Sequence, residues 1–247
     1  MALNAISAYI PDYLAASLQE KLALLHTLKL SHLELSHREA ALGSLPASEV
    51  YDIRDLLIDE GCSVSLYETS VNPADKTSLN ALLRNAHLLG IPFIKLDLSD
   101  CADDDAAYCL DAFESYGITP LIENNADSAF RDSTQLQSFL KRFENRSCKV
   151  IFNPLEYVKT HRHPFFHVYY AGRLKNHIMI LRINDGLYIN GSAVPPAHGN
   201  GEVKELISIM KARSFSGFFS ISPYVPSASK QFLSDTVIWL RQTLKGI

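Results

Sequence analysis

Hydrophobic and polar positions alternate between two periods along this chain. Across 12–29 the apolar residues Leu14, Leu18, Leu22, Leu25 and Leu28 recur at helical spacing. Short runs such as HLELS (32–36), SVSLYE (63–68) and CKVIFN (148–153) read instead as strands. The same logic predicts strands at Leu3–Tyr9, 92–98, 119–124, 177–184 and 217–222. It predicts further helices at 47–60, opened by Ser48 and stopped by Gly61, and at 77–89, 103–116, 133–145, 203–213 and 229–244. Residues 154–176 are the irregular unit, helical at most in part, and 185–202 form a long connection.

Strand and helix alternate throughout, so the class is α/β. Gly61, Gly90, Gly117 and Gly217 each precede a strand, as expected of a helix-to-strand turn. An open doubly wound sheet shares this alternation. The count of eight strands and the lack of a dinucleotide fingerprint favour a closed (β/α)8 TIM barrel. No linker, charge block or low-complexity tract divides the chain, so one domain over 1–247 is expected.

The chain has 23 basic and 27 acidic residues, a net charge of -4, which argues against nonspecific nucleic-acid binding. The longest apolar runs, such as HIMILRI, are too short to span a membrane. The N-terminus lacks the pattern of a secretory signal, and the cysteines (Cys62, Cys101, Cys109, Cys148) form no C-x-x-C pair. A cytoplasmic protein with reduced thiols is the expectation.

A barrel carries its chemistry at the C-terminal ends of the strands. Those ends offer Glu34, Ser36 and His37, then Tyr67 and Glu68, then Lys95 and Asp97 on one face. Further round come Glu123 with Asn125, Asn153, Arg182 with Asn184, Asp185, and finally Ser220, Ser222 and Tyr224. Lys95, Asp97, Glu123 and Arg182 interrupt apolar strands at equivalent heights. They form either a ligand-binding ring or a set of mutual ion pairs closing the barrel top. Glu34 and Glu68 are as readily peripheral as functional.

Three loop features add candidates. The loop HGNG (198–201, including His198) fits either a phosphate cradle of backbone N–H groups or, more simply, a turn into the next helix. His161, His163 and His167 are a metal candidate, although their spacing matches no known motif, Pro164 is expected to interrupt any helix there, and packing or surface roles are commoner for loop histidines. The aromatic segment HPFFHVYYAG reads as a lid, as a cover for the outside of the barrel, or as a contact in a homodimer.

The segments LELS, PLIENN and LKNHIMILRIND, together with HGNGEVKELISIMKARSFSGFFSIS, resemble the xylose-isomerase-like barrel superfamily in the correct order. That group covers sugar isomerases, epimerases and endonuclease-IV-like proteins. The resemblance implies a divalent metal held by acid, acid, histidine and acid on strands five to eight. Here Glu123 matches the first acid, Asn153 stands in the second place, Arg182 in the histidine's, and Ser222 in the last. Asn125 replaces a histidine often found two places after the first acid. An apurinic-site nuclease would need a histidine-rich multi-metal site that is not here.

The resulting expectation is a divergent sugar isomerase or epimerase-like protein without metal or other cofactor. It would bind a small sugar or sugar-acid at the barrel mouth, with no nucleic-acid or membrane partner. Glu123, Lys95 and Arg182 are the expected catalytic set, with a neighbouring cation able to tune the lysine toward neutrality. Asp97, Asn125, Asn153, Asn184, Asp185, His198, Ser222 and Tyr224 would contact the ligand. The alternative is a non-catalytic binding or structural protein on the same barrel.

Overall fold

The structure, a computed structural model, describes residues 5–169 and 174–247. The predicted start of the first strand at Leu3 and residues 170–173 of the aromatic segment lie outside the described residues.

The first half of the chain runs β1 (Ala5–Tyr9), α1 (Leu18–Thr27), β2 (His32–Ser36), α2 (Ala47–Asp59), β3 (Ser63–Glu68), α3 (Lys76–Leu88), β4 (Phe93–Lys95) and α4 (Asp103–Ser115). The second half runs β5 (Thr119–Glu123), α5 (Ser133–Arg142), β6 (Lys149–Phe152), α6 (Pro154–Lys159), α7 (Pro164–Tyr169), β7 (Ile178–Arg182), β8 (Asp185–Gly186), β9 (Ala193–Val194), α8 (Val203–Ala212), β10 (Phe218–Ile221) and α9 (Lys230–Gly246). Strands β1, β2, β3, β4, β5, β6, β7 and β10 close a parallel barrel, with β10 returning to pair with β1. Among the described residues no helix is long and apolar enough to cross a membrane.

Several boundaries differ from the sequence reading, each for a local reason. Helix α1 begins at Leu18 rather than at 12 because Ser17 Oγ accepts from the Glu20 N–H at 3.2 Å. The Glu20 carboxylate reaches back to the Ala16 N–H at 2.7 Å, in the manner of a capping box. Helix α2 starts at Ala47 after Pro46, so Ser48 lies inside the first turn and is not its cap. Strand β4 ends at Lys95, which leaves Asp97 in the loop beyond it. The irregular unit holds two short helices, α6 and α7, and the 185–202 connection folds its ends into the antiparallel pair β8–β9.

Gly61, Gly90 and Gly117 take φ of +60°, +68° and +67°, the left-handed turn expected after a helix. Gly217 serves a different purpose. A Cβ there would lie 1.9 Å from the Met179 carbonyl oxygen, so the residue permits close strand approach. The left-handed residue after α8 is Ser214 (φ 56°).

The main core fills the space between barrel and helices, with Phe113, Leu136, Phe152, Leu206 and Phe219 among its buried members. A separate plug lies inside the barrel: Leu66, Leu121, Ile151 and Ile180, with Phe93 and Phe218 packed against them. Side chains alternate across a strand, so the residue two places further on faces inward one layer higher. From the six plug residues this step arrives at Glu68, Glu123, Asn153, Arg182, Lys95 and Ser220. A polar layer therefore sits directly on the apolar plug, at the C-terminal mouth.

Candidate active site at the barrel mouth

Glu123 is the hub of this polar layer. Its Oε2 lies 2.8 Å from Lys95 Nζ, and its Oε1 accepts from Asn153 Nδ2 at 2.9 Å and lies 3.5 Å from Arg182 Nε. Lys95 also donates to Glu68 Oε1 at 2.9 Å, as the pairing of β3 with β4 places these residues side by side. Arg182 Nη1 donates to Glu34 Oε2 and, at 2.6 Å, to Ser220 Oγ. Ser7 Oγ donates to the other Glu34 oxygen at 2.5 Å. Ion pairs thus run in a chain across β2, β7, β5, β4 and β3.

Burial and pairing compete to set the charge states. Burial opposes ionisation of Glu123, but Lys95 and then Arg182 outweigh it and hold the carboxyl down at about 2. Burial alone would lower the Lys95 pKa, yet Glu123 and Glu68 together raise it. Arg182 is likewise raised against its burial, by Glu34 and then Glu123. The expected tuning of Lys95 toward neutrality is therefore reversed: two carboxylates face it, and one cation does not offset them.

A cavity of about 350 Å³ opens above the layer, lined by Glu68, Lys95, Asp97, Glu123, Asn125 and Asn153 among others. That volume is at the small end of the range for small-molecule sites, roughly 300–1,000 Å³. The ion pairs form, and Lys95 and Glu123 still line the concavity. Arg182 does not: it is buried outside the lining, with its Nε 3.5 Å from Glu123 Oε1.

The other predicted site residues divide. Asn184 is buried beside the layer, with Nδ2 3.5 Å from Asn153 Oδ1 and Oδ1 accepting from Ser222 Oγ at 3.4 Å. Tyr224 donates to the Val194 carbonyl at 2.6 Å, tying the end of β10 to the β8–β9 pair. Burial pushes its pKa up. Asp185 is 1% exposed, and its carboxylate accepts from the N–H groups of Gly186, Gly199 and Gly201 at 2.8, 3.0 and 2.7 Å. The Gly-rich loop is thus a nest whose anion is the chain's own Asp185. A Cβ on Gly199 would lie 2.3 Å from the Gly186 carbonyl oxygen, and one on Gly201 would lie 2.7 Å from Asp185 Oδ1. His198 is exposed beside this loop and does not line the mouth cavity.

The histidines of the irregular unit have separate partners. His163 Nδ1 lies 3.1 Å from Tyr188 Oη and 3.5 Å from Glu202 Oε1. His167 stacks on Tyr157 and its Nδ1 lies 2.7 Å from Ser133 Oγ. Among the described residues no group of three or more His, Cys, Asp or Glu side chains is placed to hold a metal. The Phe165 N–H donates to Glu202 at 2.8 Å, so the start of α7 is fastened to the N-terminal end of α8. A larger groove of about 770 Å³ lies on this outer face, walled by Phe165, Ile209 and Trp239, away from the strand ends.

Sequence reasoning missed several cavity residues. Glu156 enters from the first turn of α6, Ser128 and Phe130 from the loop after β5, and Thr69 from the end of β3. Asn124 was passed over in favour of Asn125. It is buried, exchanging hydrogen bonds of 2.8 Å with the Asn153 carbonyl and N–H, and so braces β5 against β6. A readable signal existed: two adjacent asparagines end one strand and a third, Asn153, ends the next.

No family model matches the chain, and no curated protein matches it. Solved structures match over almost its whole length. A xylose isomerase-like TIM barrel protein from Mycobacterium smegmatis, in complex with magnesium, has a TM-score of 0.77 at 16% identity, covering 98% of this chain and 97% of that one. A xylose isomerase domain protein from Planctomyces limnophilus has a TM-score of 0.76 at 13% identity, covering 100% and 99%. The 3-keto-D-glucoside 4-epimerase of E. coli has a TM-score of 0.75 at 10% identity, covering 97% and 100%. The chain has the xylose-isomerase-like barrel fold.

The metal implied by that fold does not fit these side chains. A catalytic divalent cation needs several convergent anionic or imidazole ligands. Here Glu123 already lies against two cations, Asn153 and Ser222 are neutral, and Arg182 brings positive charge to the layer.

Proposed function

We propose that this chain binds a small sugar-like polyol in the mouth cavity and does so without a divalent metal. The observation that carries the reading is the cavity of about 350 Å³ whose floor is the Lys95–Glu123 pair. Polar side chains surround it, and Phe130 supplies an apolar wall. Hydroxyl groups both donate and accept, so a polyol matches a wall of carboxylates, amides and one ammonium.

Two groups define the floor and others hold it. Lys95 and Glu123 present fixed charges to the ligand, while Arg182 and Asn153 fix the orientation of Glu123. Asn125, at the rim, offers its amide N–H₂, because its Oδ1 already accepts from the Asp127 N–H at 2.9 Å.

Proton transfer is poorly served by this floor. An efficient general base has a pKa near the working pH, and Glu123 is held at about 2. This favours the second reading for the chemistry: a barrel that binds rather than isomerises.

The test is a thermal-shift panel of neutral monosaccharides, with wild type and Asn125→Ala in parallel. A ligand at 100 times its Kd adds about 2.7 kcal/mol of stability, which raises Tm by roughly 5–11 °C for a chain of this size. The reading expects such a rise in wild type and a smaller one in Asn125→Ala at equal ligand concentration. A panel with no rise, or a rise that Asn125→Ala leaves unchanged, counts against the mouth as the site.

A further inference from the structure

The geometry points to a ligand that carries a protonated amine on its polyol frame, and to exclusion of sugar acids and sugar phosphates. This rests on the reading of the mouth as a polyol site and narrows its ligand class. The cavity wall holds four carboxylates, Glu68, Asp97, Glu123 and Glu156, against one ammonium, Lys95.

The single cation is already committed. Lys95 sits between Glu68 and Glu123, at 2.9 and 2.8 Å. It offers no unopposed charge to a phosphate or carboxylate. Arg182 lies outside the lining, engaged by Glu34, Glu123 and Ser220. An incoming anion would therefore meet net negative charge at short range, a like-charge contact that costs affinity.

The carboxylates are not equally committed. Glu123 is met by Lys95, Asn153 and Arg182. Glu156 is paired with Lys159 at 2.6 Å through one oxygen and accepts from the Ala126 N–H at 3.0 Å through the other. Asp97 differs. One of its oxygens accepts from the Ser99 N–H at 2.8 Å, and no ion pair to a cation is formed by it among the described residues. Glu68 has one oxygen on Lys95 and its side chain is 46% exposed. Asp97 and Glu68 thus leave acceptor oxygens toward the cavity, two residues and one strand either side of Lys95. A protonated amine there forms charge-assisted hydrogen bonds, which a hydroxyl in the same place does not.

Isothermal titration of the full chain with glucosamine, glucose and glucuronate separates the possibilities, with the galactose and mannose counterparts as a check on ring stereochemistry. The pH is set at 6.5, to keep the amine protonated, and the ionic strength is low. Within at least one stereochemical series the amine is expected to bind about tenfold more tightly than the neutral sugar, the difference between a charge-assisted and a neutral hydrogen bond, with the acid weakest. Asp97→Asn, an exposed substitution, is expected to bring amine and neutral sugar close to parity. Neutral sugars or acids that bind as tightly as amines overturn the ligand class but leave the polyol site standing. An amine preference that survives both Asp97→Asn and Glu68→Gln overturns the assigned residues. No binding by any member overturns this inference together with the reading it rests on.

Discussion

Lys95 Nζ lies 2.8 Å from Glu123 Oε2, on the floor of the mouth cavity. The contact fixes the charge of both residues. Arg182 approaches the other oxygen of Glu123, with Nε at 3.5 Å.

Acid stability follows from this pair. Glu123 has a folded pKa of about 2 against an ordinary value of 4.5. A carboxyl depressed by folding adds stability above its unfolded pKa and loses it as pH falls through the folded value. The contribution, on the order of 3 kcal/mol, is therefore full at neutral pH and fades between about pH 4.5 and about pH 2. Denaturant midpoints measured from pH 7 to pH 3 should fall more steeply in wild type than in Glu123→Gln. Parallel profiles would show that Glu123 is not the depressed group.

Breaking the buried pair beneath the floor should be costly. Arg182 and Glu34 are both buried, and removing one partner of such a pair typically costs about 3–5 kcal/mol. Arg182→Met is expected to lose that much in urea unfolding. The double substitution Arg182→Met with Glu34→Gln should lose clearly less than the sum of the two single changes, because neither charge is then left unpaired. Additive losses would mean that the two residues do not act together.

The nest around Asp185 predicts an asymmetry between glycines. Gly199→Ala would place a methyl 2.3 Å from the Gly186 carbonyl oxygen and should destabilise by about 1–3 kcal/mol, the usual range for overpacking. Gly246→Ala, with nothing within 4 Å, should change Tm little. Asp185→Ala should destabilise as Gly199→Ala does, since three N–H groups, those of Gly186 and Gly201 in buried bonds, lose their acceptor. Inorganic phosphate should not rescue it if the loop is a structural nest. Rescue would restore the phosphate-cradle reading.

Much of the barrel was legible in the periodicity, because strand and helix periods differ and each unit is short. The S-x-x-E pattern at Ser17–Glu20 also carried the true start of α1, but the apolar spacing from Leu14 masked it. The polar layer was legible as a set of interruptions in apolar strands. Its wiring was not. Arg182 and Glu34 meet only because β10 and β1 close the barrel between them, and no local pattern encodes that closure. Glu34, as readily peripheral as functional in the sequence, joins the network through that closure, and Glu68 joins it through the pairing of β3 with β4. The role of Asp185 was hidden because its partners, Gly199 and Gly201, arrive through the long 185–202 connection.

The most direct test of the metal-free mouth is titration of the purified, chelator-treated chain with Mg²⁺, Mn²⁺ and Zn²⁺, followed by the neutral-sugar thermal shift with and without each metal. The account predicts no stoichiometric metal binding that depends on Glu123, and a sugar-induced rise in Tm that is the same in chelator and in metal. One equivalent of metal lost in Glu123→Gln, or a sugar response that appears only when metal is supplied, would contradict it.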